Sequence, residues 1–171
     1  MTRPEIGEYA EYYDRYISLI EETDIVAVLE KQQSELEKVF DTITEEKSHY
    51  AYGPDKWTIK ELVGHLSDGE RIFSYRALRI SRADETPLEG FEQDGYIENS
   101  NFNNVAFADL TAELLFARKA NLILFKSLTD EAWLRMGTAS GSPVSVRALA
   151  YIMAGHIRHH MKILNERYLA Q

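Results

Sequence analysis

Three of the chain's five histidines, His156, His159 and His160, fall in one short run, Gly155-His-Ile-Arg-His-His160, near the C-terminus. Imidazole is both the commonest protein metal ligand and the side chain whose proton comes and goes near neutral pH. On a helix, residues four apart stand one above the other, so His156 and His160 aim two rings at a single point. Leu149, His156 and Ile163 are spaced by sevens, which places His156 on a core-facing seam, whereas His159 neighbours Gly155 and Lys162 at its margin. A fourth histidine, His65, lies in a second helical segment, Glu61-Leu-Val-Gly-His-Leu66. At about 100° per residue it sits roughly a quarter-turn from the centre of that segment's apolar stripe. This is a boundary position, and Gly69 leaves space beside the ring. If His65 faces the pair, three nitrogens meet, and such a set suits a divalent ion with an open position.

Two readings stay open on these residues. Histidines on apolar faces often do no more than hydrogen-bond within a core. Two at i and i+4 with a third on another helix are also what a metal centre requires. The zincin protease motif is excluded, because Ile157 stands where its glutamate would be. Glu70 lies in the apolar stripe between Leu66 and Phe73, and a buried carboxylate without a partner is costly. It needs either a metal-bound histidine, which it would support from behind, or an arginine. Gln32 and Asn121, also within stripes, are read as making hydrogen bonds of packing.

The elements that must position these groups are helices. Residues 1 to 23 form an arm in which Tyr9, Tyr12, Tyr13 and Tyr16 crowd together, expected to pack over the outside of the domain. Asp24 is a good N-cap, and Ile25, Leu29, Gln32, Leu36, Val39 and Ile43 mark one helix to about Lys47. Thr58 with Glu61 reads as a capping box for a second helix, Ile59 to about Ser81. From Ala83 to about Asn104 the periodicity dissolves into a long acidic loop, a feature usually tied to function. Leu110, Leu114, Ala117, Asn121, Leu124 and Leu128 mark a third helix, followed by one short turn carrying Trp133. The tract Gly137 to Pro143 reads as a loop, and Ser145 caps a final helix, Val146 to about Tyr168. No period-two alternation suggests strands. The expectation is an all-α four-helix bundle forming a single domain over residues 1–171.

Composition narrows the chemistry. With 28 acidic and 19 basic residues the net charge is −9, so nucleic acid is a poor partner. The absence of cysteine excludes disulfides, thiolate ligands and a nucleophilic sulfur belonging to the protein. No stretch has the length and apolarity of a membrane span, and the N-terminus lacks the pattern of a signal peptide, so a cytoplasmic protein is expected.

Trp57-Thr-Ile-Lys-Glu-Leu-Val-Gly-His65-Leu, Tyr75-Arg-Ala-Leu-Arg79, Pro87-Leu-Glu-Gly-Phe-Glu-Gln-Asp94 and the tract from Ser145 to His160 resemble the DinB/YfiT-like superfamily. The resemblance runs from about residue 20 to the C-terminus. It implies a four-helix bundle with an unusual order of helix directions, a homodimer, and a divalent metal, nickel or zinc, on three histidines. Carried over, these are His65, His156 and His160, with His159 outside the triad as a flanking or supporting group. Related families include transferases that join low-molecular-weight thiols to electrophiles.

From that resemblance follows an expected mechanism. A metal on the three histidines would bind a small thiol as thiolate, and the thiolate would attack an electrophile beneath the 83–104 loop. Arg76 could hold a carboxylate of the cosubstrate, and Asp94 could touch substrate or act as a base. Metal-dependent hydrolysis with bound hydroxide is the alternative. A non-enzymatic metal-binding protein of the stress response, or a bundle with no metal at all, also remains open.

Overall fold

The computed structural model of the chain describes residues 2–170; Met1, at the head of the predicted arm, and Gln171 lie outside them. Residues 2–15 lie over the outside as expected, none of them buried, but the end of the arm does not. A 3₁₀ turn, Glu11–Tyr13, runs into a one-turn helix, α1 (Asp14–Ile17), and Tyr16, Ile17 and Ile20 are sunk into the main core. Tyr12 stays exposed, while Tyr9 and Tyr13 are half-buried against that core. Apolar side chains at 16, 17 and 20 share one face of a helical turn, and burying that face drives the arm inward. Gly155 admits it: a Cβ there would stand only 2.1 Å from the carbonyl oxygen of Tyr16.

Asp24 caps α2 (Ile25–Phe40) by accepting a hydrogen bond from the Ala27 amide at 3.1 Å. This helix stops seven residues short of the expected Lys47. Thr44 then caps a separate turn, α3 (Glu45–Ser48), accepting from the Lys47 amide at 3.1 Å. Ile43 is buried although it lies beyond the break, so the apolar spacing runs on past the helix end. The capping box is present at the start of α4 (Ile59–Ser81): the Glu61 amide donates to Thr58 Oγ1 at 3.1 Å, and the Thr58 amide to Glu61 Oε2 at 2.7 Å.

The 83–104 segment is more ordered than a plain loop. Leu88 bridges to Ala139, Glu92 caps α5 (Gln93–Glu98), and a 3₁₀ turn follows at Phe102–Asn104. The third long helix, α6 (Phe107–Lys126), buries Leu110, Leu114, Arg118, Asn121, Leu122 and Phe125. Ala117 and Leu124, expected on its inner face, are only half-buried. After α7 (Asp130–Leu134), whose Trp133 stacks on Phe125, the tract expected to be a loop is a hairpin. Strands β1 (Met136–Ala139) and β2 (Ser142–Ser145) pair antiparallel around Ser140-Gly141. Both turn residues have positive φ, 52° and 74°, the combination that matches the natural twist of a two-residue hairpin. Ser145 caps α8 (Val146–Ile163), which continues as a π-helical turn, Leu164–Leu169.

The all-α four-helix bundle expected from the sequence is what forms, with this small hairpin as an addition. α4 packs between α6 and α8, and α2 closes the other side against the same two. The diagonal pairs are therefore α2 with α4 and α6 with α8, while α4 and α6, consecutive in the chain, lie side by side. This order places α4 beside α8, so that residues 91 positions apart can meet. No helix among the described residues is long and apolar enough to cross a membrane.

Candidate metal centre

The capping box fixes the start of α4, and with it the direction in which His65, two turns later, points. Its ring is buried rather than at a boundary, because Trp57, just ahead of the cap, lies over it with ring centroids 4.9 Å apart. From α8, one turn apart, come His156 and His160, their centroids separated by 4.5 Å. His65 lies 4.8 Å from the first ring and 4.9 Å from the second. The Nε2 atoms of His65 and His156 are 2.9 Å apart, and one nitrogen from each ring falls within 4.8 Å of the others. Gly69 makes room, but for His156: a Cβ at 69 would be 3.1 Å from that ring's Cε1.

The surroundings keep the rings neutral. Tyr16 and Phe73 stand edge-on to His156 at 5.3 and 5.9 Å. Burial pushes the pKa of His65 down to about 4. Burial, then the nearby His65 and His159, push His160 down to about 2. His156 is driven well below its ordinary value, by burial first and by the other rings second. Neutral imidazole keeps the lone pair that a metal needs.

These residues fit a divalent ion. Nitrogens about 2.1 Å from one ion stand about 3.0–3.4 Å apart as their angle opens from square to tetrahedral, close to the His65–His156 separation. Nδ1 of His160 is buried and has no hydrogen-bond partner among the described residues, and a nitrogen left so is costly unless something is supplied to it. A cavity of about 910 Å³ opens beside the cluster, with His160, Trp57, Phe102 and Tyr168 among its walls.

Other residues proposed from the sequence fall elsewhere. Glu70 does not support a histidine; Arg118 occupies its carboxylate, with Nε at 3.1 Å from Oε1, and Asn121 Nδ2 reaches Oε2 at 2.8 Å. A full cation in the core outcompetes a neutral ring for a buried carboxylate. Arg76 does not reach the histidine cavity. Its guanidinium donates to Glu89 O at 2.6 Å and Ser140 Oγ at 3.0 Å, joining the loop to the hairpin, and it borders a separate groove with Tyr75 and Phe91. Asp94 is exposed on the wall of the cavity that His160 borders. His159 stands outside the trio, half-buried, edge-on to Tyr16 at 5.5 Å and 5.0 Å from the His160 ring. Sequence reasoning did not single out Trp57 or Tyr16 as neighbours of the histidines. Trp57 sits in a tract that reads as a helix breaker, and Tyr16 in an arm whose destination local spacing does not reveal.

Known proteins add the following. No curated protein matches the chain. YfiT from Bacillus subtilis, described as a probable metal-dependent hydrolase with an unusual four-helix bundle topology, shares its fold, with a TM-score of 0.76 at 19% sequence identity. The match covers 98% of this chain and 91% of the other. The sequence profile of the DinB superfamily matches residues 28–164, which take in α2 from Val28 onward, the other three bundle helices and the three clustered histidines. On that match the chain belongs to the DinB superfamily.

Proposed function

We propose that the protein is a metal-dependent enzyme that holds one divalent ion, nickel or zinc, on His65, His156 and His160. In this reading it turns a low-molecular-weight thiol on an electrophilic substrate. The observation that carries it is the meeting of three buried, neutral imidazoles from two helices beside a cavity of about 910 Å³. That volume suits a pair of small molecules better than a single ion and its waters. When bound, such an ion acidifies a thiol or a water, making a nucleophile available near neutral pH. The chain's own part is to keep the imidazoles unprotonated by burial, and to exclude bulk water with Trp57, Tyr16 and Phe73. In this reading Asp94, which borders the cavity, contacts substrate or takes a proton from it. The sulfur must arrive with a substrate, since the chain has no cysteine.

Hydrolysis by water in place of the thiol is the second reading, favoured by the description of YfiT as a probable metal-dependent hydrolase. The test is elemental analysis of untagged protein, then turnover of an aryl halide and of a set of esters and amides, with and without added thiol. One ion per chain and thiol-dependent turnover that falls about a hundredfold or more in His156→Ala support the proposal. Turnover that survives His156→Ala overturns the metal's role, and turnover indifferent to thiol transfers the assignment to hydrolysis.

A further inference from the structure

The cavity beside His160 has a charge of its own. Asp55, Glu61, Asp94 and Glu98 border it, against Lys56 as its one cation among the described residues. Glu61 is committed to the Thr58 amide and to Asn103 Nδ2. Asp55, Asp94 and Glu98 have no side-chain hydrogen bond or ion pair within the described residues. Asp94 and Glu98 are four apart on α5, so they stack on one face of a six-residue helix. Like charges at that spacing weaken a helix, and no cation among the described residues pairs with either of them. The same walls carry the rings of Trp57, Phe102 and Tyr168, whose faces attract cations. His160, only 9% exposed and with Nδ1 unpartnered, borders the same space and ties this acidic wall to the candidate centre.

We infer that the substrate taken up in this cavity carries a cationic group, a primary ammonium or a guanidinium, held against Asp94 and Glu98 while its reactive end points toward the histidines. The inference rests on the proposed function for what the reactive end does, but not for the charge selection. A carboxylate or phosphate at the same place would face uncompensated negative charge at close range. Lys56 can balance one carboxylate and leaves the rest in excess.

The test uses the full-length protein loaded with Zn²⁺ and freed of excess metal. Three thiols of matched size, cysteamine, 2-mercaptoethanol and 3-mercaptopropionate, are titrated while the indole N–H signal of Trp57 is followed by NMR. Propylamine and propionate are titrated in parallel as probes without sulfur. Affinity is expected to fall in the order cationic, neutral, anionic, roughly fivefold for each step in charge. In Asp94→Asn/Glu98→Gln the order should flatten to within about twofold, with a melting temperature no lower than the parent's. Three thiols that bind equally well leave metal–thiol chemistry standing and overturn the charge selection. Propylamine binding better than propionate, with no thiol preferred over its sulfur-free analogue, upholds the charge selection and counts against the thiol. A cationic preference that persists in the double variant also overturns the inference, because it would then arise elsewhere.

Discussion

A histidine gives up its charge when taken out of water, and His65, His156 and His160 have been taken out of water together. Their folded pKa values lie below the roughly 6.5 of an unfolded chain. Below that pH the unfolded state binds protons that the folded state refuses, so stability falls as pH drops. For His65 the window runs from about 6.5 to about 4. It is worth about 3 kcal/mol by linkage, about 1.4 for each pH unit. Urea titration of metal-free protein at pH 7, 6 and 5 is therefore expected to show falling midpoints, and His65→Leu a slope shallower by about one proton. Equal slopes would mean that the ring is not neutral when folded. At this scale spacing alone marked His156 and His160 as sharing a face. The depth of His65 was not legible, because it depends on Trp57 folding back over it. The partner of Glu70 was legible only as a class: the stripe demanded a counter-group, and nothing in local spacing singles out Arg118, on another helix 48 residues away.

Elements were readable where their ends carry side-chain chemistry. Asp24, the Thr58–Glu61 box and Ser145 each cap the helix expected of them, and α4 runs over its anticipated span. The end of α2 was missed because Ile43 keeps the apolar spacing across a real break. The hairpin was missed because four-residue strands are too short for alternation to register beside Gly and Pro. The burial of the arm's end was not legible because what admits it is a glycine 139 residues further along. Gly155→Ala tests that contact with two effects of opposite sign. Alanine favours a helix over glycine by about 1 kcal/mol, whereas its methyl would overlap the Tyr16 carbonyl, 2.1 Å away. Crowding of that kind costs about 1–3 kcal/mol, and a backbone atom cannot swing aside like a flexible side chain. The variant is expected to be less stable by chemical denaturation, and cut faster by protease between residues 5 and 20. A variant as stable and as resistant as the parent would show that the arm is only loosely seated.

Across the whole molecule one buried polar chain touches every helix of the bundle. Gln32 of α2 donates to Ala154 O of α8 at 2.8 Å and accepts from Arg118 Nη1 of α6 at 3.1 Å. Arg118 in turn holds Glu70 of α4, which Asn121 of α6 also contacts. Ala154 is two residues from His156 and Glu70 five from His65, so the network ties the levels of the two helices that carry the histidines. Apolar packing alone tolerates a sliding helix better than a hydrogen bond does, since the bond is lost within an ångström. Arg118→Met should leave the Glu70 carboxylate buried and unpaired, at a cost of about 3–5 kcal/mol. Adding Glu70→Met removes the stranded charge and should restore more than half of that loss, though not all, because Gln32 and Asn121 lose partners too. Zn²⁺ affinity separates the network's two roles: if it sets helix level, the double variant regains stability while still binding the ion at least about tenfold more weakly than the parent. Recovery of both together would mean that apolar packing alone aligns the histidines, and that the polar chain contributes stability without alignment.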